Sequence, residues 1–267
     1  MSYDPILPLW PEQAPGYQTA SPRHVPSYTP YLLPRGESKA LIVVLPGGGY
    51  GTRAPHEGHD IALWLNSIGV SALICHYRVS PYRHPYPSMD ARRAIRTARF
   101  HAEEWGIDAD KIGVIGFSAG GHLAATVSTW LHDGKESPDD EIDEMSARPN
   151  AAILCYAVLS FGEWGHDGSA ANLLGDQLSP ETRETHSHYR NVSPETPPCF
   201  LWHTAEDGGV PMENSLYFAL ACKEQGVPAE LHVYPYGRHG LGLAKDIPHV
   251  AQWAASCANW LQELGWR

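Results

Sequence analysis

The stretch Ile112-Gly113-Val114-Ile115-Gly116-Phe117-Ser118-Ala119-Gly120-Gly121-His122-Leu123-Ala124-Ala125 decides the reading of this chain. A largely apolar, β-branched run ends in Gly-Phe-Ser-Ala-Gly, and an Ala-, Leu- and Gly-rich helical pattern begins at once. This is Gly-x-Ser-x-Gly in the context of strand, sharp turn and helix, the setting of a nucleophile elbow. A serine on such a turn is strained, and glycines suit positions 116 and 120 because a Cβ there would strike a neighbouring element. The following helix aims its first N–H groups toward the serine, where negative charge would develop. The competing reading is a glycine-rich turn with an incidental serine. What separates the two is whether the rest of the chain supplies a base, an acid and donors for an oxyanion.

Working outward, residues 39–46 form a continuous apolar run of strand length, which suits an interior strand, and Gly47-Gly48-Gly49-Tyr50-Gly51 follows directly. A short strand is expected around 27–33, a helix over 59–68 that stops at Gly69, a buried strand over 70–77 and a helix over 88–105. Beyond the elbow helix (120–131) come strands at 151–156, 199–204 and 230–234, with helices at 211–225 and 247–264. Strands alternating with helices imply an α/β fold, a mostly parallel central sheet with helices on both faces. With no internal repeat or interior linker, residues 1–267 read as one domain. Residues 1–27, rich in Pro, Tyr and Ser, read as an arm lying on the domain or as a tail. The irregular 160–198 stretch, with short helices at 169–174 and after Pro180, reads as a lid-like or substrate-binding insertion.

In such a fold the site lies at the carboxyl ends of the strands. Ser118, the 47–49 glycines, Asp207 and His239 all stand just after predicted strands. A serine hydroxyl needs a base to take its proton and a third group to orient that base. Of fifteen histidines, His239 lies in a glycine-flanked loop, Gly237-Arg238-His239-Gly240, between the last strand and the last helix. His122, nearest Ser118 in sequence, falls on the elbow helix and reads as structural. For the acid, Asp207 fits the spacing Asp-x-x-Val210-Pro211, in which Pro211 starts the next helix; its neighbour Glu206 is the alternative. The order Ser, Asp, His matches α/β-hydrolases rather than the two protease orders. The N–H of Ala119 and amides of the 47–49 loop are candidate oxyanion donors.

A net charge of −11 argues against nucleic acid or an anionic membrane as partner. No apolar stretch is long enough to span a bilayer, and no signal-peptide pattern opens the chain, so a cytoplasmic location is the expectation. Five widely spaced cysteines, with no CxxC, read as buried free thiols. No nucleotide fingerprint follows the glycine loop, no cofactor motif occurs, and no metal site with ligand spacing is present; His186-Ser187-His188 alone is a weak pair. The row Arg92, Arg93, Arg96 and Arg99 reads as a solvated helix face, and the acidic 132–149 stretch as a solvated surface insertion. Tyr50, Tyr82, Tyr86 and Trp164 are loop aromatics that would suit sugar stacking, although packing is as common a use.

Taken together, Pro46-Gly47-Gly48-Gly49-Tyr50, Tyr77-Arg78, Gly116-Phe117-Ser118-Ala119-Gly120-Gly121-His122, Asp207-x-x-Val210-Pro211 and His239-Gly240 resemble the α/β-hydrolase-fold esterases. Within them the chain resembles the acetyl-xylan-esterase-like branch, related to the hormone-sensitive-lipase-type carboxylesterases. Leu9-Trp10-Pro11-Glu12-Gln13-Ala14-Pro15-Gly16 and His56-Glu57-Gly58 also look like that branch. The resemblance implies Ser118, Asp207 and His239 as catalytic residues and Gly48, Gly49 and Ala119 as oxyanion-hole donors. It implies a serine ester hydrolase that removes short acyl groups from a small-molecule or oligosaccharide ester such as an acetylated xylan fragment. A general short-chain carboxylesterase, a feruloyl-type esterase, a peptidase or thioesterase, and an inactive binding protein are the alternatives. One departure stands out. Pro46 occupies the place of the histidine in the lipase-type His-Gly-Gly-Gly, so the bracing of the glycine loop has to come from elsewhere.

Overall fold

A computed structural model describes residues 5–18, 24–130 and 140–267. Its described strands form one eight-stranded sheet in the order β1-β2-β4-β3-β5-β6-β7-β8. These are β1 (Leu7–Pro8), β2 (Ser27–Tyr31), β3 (Leu41–Leu45), β4 (Ser71–His76), β5 (Ile112–Phe117), β6 (Ala152–Cys155), β7 (Cys199–Thr204) and β8 (Ala229–Tyr234). From β4 to β8 all neighbours are parallel, while β1 and β2 join antiparallel at one edge.

Burial on both faces explains why the interior strands read as unbroken apolar runs. In β3, Leu41, Val43 and Leu45 face a core built with α2 (Tyr86–Phe100), α4 (Ala119–Thr129) and α7 (Glu213–Glu224). Ile42 and Val44 face the opposite core, closed by α1 (His59–Ser67) and α8 (Pro248–Glu263). There Trp202 of β7 and Trp253 of α8 stack with ring centroids 5.0 Å apart.

The strand order fixes where a ligand can sit. β3 leads to β4 on one side, and the chain then returns to place β5 on β3's other side. The topological switch point therefore lies between β3 and β5, and the carboxyl ends of those strands are where folds of this order bind ligands. The glycine loop leaves β3 there and the elbow leaves β5.

The predicted elements are present, with modest shifts at their ends. The helix expected over 88–105 divides at His101 into α2 and α3 (Ala102–Trp105). The described part of the arm lies on the molecule: β1 pairs with β2, and Leu9 and Trp10 are buried. The 160–198 stretch contains α5 (Asp167–Leu174) and α6 (Pro180–Thr185) with short 3-10 turns. All five cysteines are free and buried. Among the described residues no helix is long and apolar enough to cross a membrane.

Two expectations, the solvated arginine face and the solvated acidic insertion, are corrected. The arginine row of α2 is not a solvated face: Arg92, Arg93 and Arg96 are buried, and Arg99 keeps partial exposure. Arg93 and Arg96 are fully buried; Arg93 bonds Asp143 at 2.9 Å, Asp140 at 2.6 Å and the Leu9 carbonyl at 2.8 Å. The acids that neutralise it lie some fifty residues later, in the segment expected to be a solvated insertion. Residues 132–139 of that segment lie outside the described residues, but Asp143 is turned inward and is as buried as its partner. Helical spacing shows that the arginines share a face, but says nothing of what covers it. Three of the four aromatics are also packing residues. Tyr50 is buried, while Tyr82 and Tyr86 lie over the Arg78 guanidinium at 5.3 and 4.7 Å, where Arg78 pairs with Asp90. Trp164 keeps partial exposure and stacks on Tyr217 with centroids 4.3 Å apart.

Candidate active site

Ser118 sits between β5 and α4 with φ 52° and ψ −119°, a conformation non-glycine residues rarely take. The elbow is tight enough to dictate its flanks. A Cβ on Gly120 would lie 2.1 Å from the Leu45 carbonyl oxygen, and one on Gly116 would lie 2.2 Å from that of Gly120. Backbone bonds pin the turn: Ser118 N–H donates to the Cys155 carbonyl, and the Val158 N–H donates to that of Ser118.

His239 comes down from the loop after β8 so that its Nε2 is 2.8 Å from Ser118 Oγ. Its Nδ1 is 2.7 Å from Asp207 Oδ2, on the loop after β7. A carboxylate accepts, so Nδ1 carries the proton and Nε2 turns its lone pair to the serine hydroxyl. Ser118 is almost covered, whereas the His239 side chain keeps 28% exposure, so the imidazole borders solvent. Glu206, the alternative acid, is exposed and accepts only a 3.3 Å bond from the Gly237 N–H.

Asp207 is held from every side. Its Oδ1 accepts the N–H groups of Gly209 and Val210 at 2.9 and 2.8 Å. Burial pushes its carboxyl upward, but hydrogen bonds from His203, His239 and Val210 outweigh that and hold it well below the usual carboxylate range. His203, buried in β7, is a partner that the sequence reading missed. Its Nε2 lies 2.9 Å from the Val210 carbonyl and 3.4 Å from Asp207 Oδ2, and Ser215 bonds its Nδ1.

The glycine loop abuts the elbow. A Cβ on Gly47 would come within 2.7 Å of the Phe117 carbonyl oxygen and 3.0 Å of the Ser118 Cβ. The Gly47 N–H is taken by the buried Glu57 carboxylate at 2.7 Å. Among the described residues no hydrogen bond occupies the N–H of Gly48 or Gly49. Ala119 begins α4, so its N–H has no acceptor within the helix. Asn172 of α5 holds the loop from the far side, donating to the Gly49 carbonyl at 2.8 Å. His122 is structural as expected: its ring bonds Tyr50 Oη and the His186 carbonyl, and burial, then His186, push it down to about 3.

Besides His203, two residues at the site went unassigned in the sequence. Tyr156, just after β6, places its ring edge-on to His239 with centroids 5.1 Å apart, and Glu57 lies beneath the glycine loop. The His56-Glu57-Gly58 motif drew attention to Glu57, but nothing local to Tyr156 or His203 distinguishes them from packing residues.

The BD-FAE family model matches residues 31–221. The chain is 35% identical over 242 residues to endo-1,4-beta-xylanase B of Butyrivibrio fibrisolvens, covering 89% of this chain and 38% of that protein. It is 32% identical over 239 residues to an acetylxylan esterase of Xylanibacter ruminicola, covering 87% of this chain and 47% of that protein. The chain thus spans less than half the length of either curated relative. Among solved structures, the acetyl ester-xyloside bifunctional hydrolase of Caldicellulosiruptor lactoaceticus is 47% identical, with a TM-score of 0.94 over 99% of this chain and 97% of that one. The sheet order, the elbow and these likenesses agree, and the chain belongs to the BD-FAE family within the α/β-hydrolase fold.

Proposed function

We propose that this protein is a serine ester hydrolase that removes acetyl groups from a carbohydrate, with Ser118, Asp207 and His239 as its catalytic residues. The observation that carries the reading is the unbroken line Ser118 Oγ, His239 and Asp207, with bonds of 2.8 and 2.7 Å. His239 Nε2 takes the hydroxyl proton as Ser118 Oγ bonds to the ester carbonyl carbon. The carbonyl π electrons move to oxygen, and the amides of Gly48, Gly49 and Ala119 receive that charge. Collapse breaks the bond to the alcohol, which leaves with the proton from His239. Water, deprotonated by the same imidazole, then attacks the acetyl-serine and frees acetate. Asp207 stays ionised throughout and stabilises the imidazolium.

Similarity to an acetylxylan esterase and an acetyl ester-xyloside hydrolase supports acetyl as the acyl group and a xylose-based sugar as the alcohol. In this reading the 160–198 segment, which reaches the glycine loop through Asn172, is a lid-like or substrate-binding insertion that helps set the acyl chain length and the alcohol. Ser118→Ala is the test. The folded variant should neither turn over p-nitrophenyl acetate nor react with a fluorophosphonate probe, while the wild type does both. Retained turnover in the variant would refute the assignment.

A further inference from the structure

The missing loop-bracing histidine leaves a question that Glu57 answers. Glu57 ends the 3-10 turn Pro55–Glu57 and is 2% exposed, and among the described residues no lysine or arginine forms an ion pair with it. Its Oε2 accepts the Gly47 N–H at 2.7 Å, immediately before the Gly48 and Gly49 amides. Its Oε1 is 2.6 Å from Tyr156 Oη, and Tyr156 Oη is in turn 2.8 Å from the Gly242 N–H. Because Gly242 can only donate there, the phenol proton points to Glu57, so both carboxylate oxygens are acceptors. Burial, and next the charge of Glu57, push the Tyr156 phenol well above its ordinary range, which keeps that proton in place.

The chain of bonds therefore joins two loops far apart in sequence. At one end is the glycine loop, tied again by the Ala54 N–H donating to the Gly47 carbonyl at 2.9 Å. At the other is the His239 loop, tied again by His56 Nε2 donating to the Gly240 carbonyl at 3.0 Å. Between them the Tyr156 ring lies edge-on to His239. Tyr156 has φ 35°, one of four described non-glycine residues at positive φ; Ser118 and Tyr50 of the glycine loop are two of the others. Strain of that kind persists only where the surroundings enforce it.

The geometry points to Glu57 as a positioning residue, which acts through Gly47 and Tyr156 to set the oxyanion donors and His239 at a fixed mutual distance. This rests on the hydrolytic reading of the site. A displacement near 1 Å can cost about 10²-fold in rate, and a carboxylate bridge holds both loops without touching substrate.

The experiment compares wild type, Glu57→Gln, Tyr156→Phe and the double variant on p-nitrophenyl acetate, each with its melting temperature. Glu57→Gln offers one acceptor for two donors, and Tyr156→Phe keeps the ring while cutting the bridge. Both should lower kcat by about 10- to 100-fold with KM within about threefold. The double variant should be no slower than the slower single one, because either cut opens the same bridge. Wild-type kcat in Glu57→Gln, or losses that multiply in the double variant, would overturn the proposal. So would failure of both single variants to fold, which would make the trio a stability element. A wild-type protein with no Ser118-dependent turnover would instead take down the reading of the site, and this inference with it.

Discussion

His203 stands behind Asp207, its Nε2 3.4 Å from the carboxylate Oδ2 and 2.9 Å from the Val210 carbonyl. A carbonyl only accepts, so Nε2 bears the proton and the ring presents a donor to the same carboxylate oxygen that His239 engages. Asp207 thus has two imidazoles and two amides on it, more partners than a carboxylate needs merely to stay soluble in a protein interior. His203→Ala should leave Asp207 bound to His239 and to the Gly209 and Val210 amides, but less firmly oriented. The expected loss in kcat/KM is about tenfold, far short of the roughly 10⁴-fold that removal of a triad carboxylate costs. Steady-state kinetics on p-nitrophenyl acetate check it, and an unchanged kcat/KM would show that the backbone amides alone fix the carboxylate.

Acid should destabilise the fold well before carboxylates titrate. Burial first, and neighbouring histidines next, hold His122 at about 3 and His188 well below the ordinary value. Both are neutral in the folded state, whereas the unfolded chain protonates them near pH ~6.5. The unfolded state therefore binds more protons below that pH. Stability is complete above it and falls as pH drops toward the folded values, by about 1.4 kcal/mol per pH unit for each such histidine. Melting temperature should decline from pH 7.5 to 5, and His188→Asn should flatten the decline. An identical slope in the variant would contradict the assignment. Asp207 acts further down: its lowered carboxyl adds stability above the unfolded value near ~3.9 that is lost only as pH falls through the folded one.

Arg93 should matter to stability and not to chemistry. Arg93→Met takes from Asp143, fully buried, the nearer of two guanidiniums, at 2.9 Å, and leaves that of Arg96 at 3.5 Å. Breaking a buried pair from one side costs about 3–5 kcal/mol, and chemical denaturation should show a loss of that order. Well below the melting temperature kcat should match the wild type, since Arg93 contacts Asp140, Asp143 and Leu9 and none of the triad. A large fall in kcat at full folding would link α2 to the site.

Gly120→Ala probes the elbow directly. The added methyl would sit 2.1 Å from one strand-end carbonyl oxygen and 2.5 Å from the next, on Leu45 and Pro46. Backbone cannot move aside cheaply, so both melting temperature and kcat should fall, by about 1–3 kcal/mol in stability for overpacking of this kind. A fully active, equally stable variant would mean that the turn is softer than its geometry.

The interior parallel strands were legible because burial on both faces writes them as apolar runs, and Ser118 and Asp207 because each follows such a run, whereas His239 follows the mixed edge strand β8 and was read from its glycine-flanked loop. Glu206 and Asp207 could be ranked by spacing alone, and the structure joins Asp207 to His239. What stayed hidden was long-range pairing. Arg93 finds Asp143 fifty residues away, Glu57 finds Tyr156 ninety-nine residues away, and His203 reads as one more residue of a buried strand. A side chain's periodicity tells which face it lies on; the partner that makes a buried charge tolerable belongs to another element. The two-residue β1 is too short to carry any periodic signal.

The measurement closest to the central claim is the rate on a matched series of p-nitrophenyl esters, from acetyl to octanoyl, with acetylated xylo-oligosaccharide alongside and Ser118→Ala as control. A carbohydrate acetyl esterase should slow steeply beyond propionyl and release acetate from the sugar, with both activities absent in Ser118→Ala. A maximum at longer acyl chains with no acetate released from the sugar would contradict it.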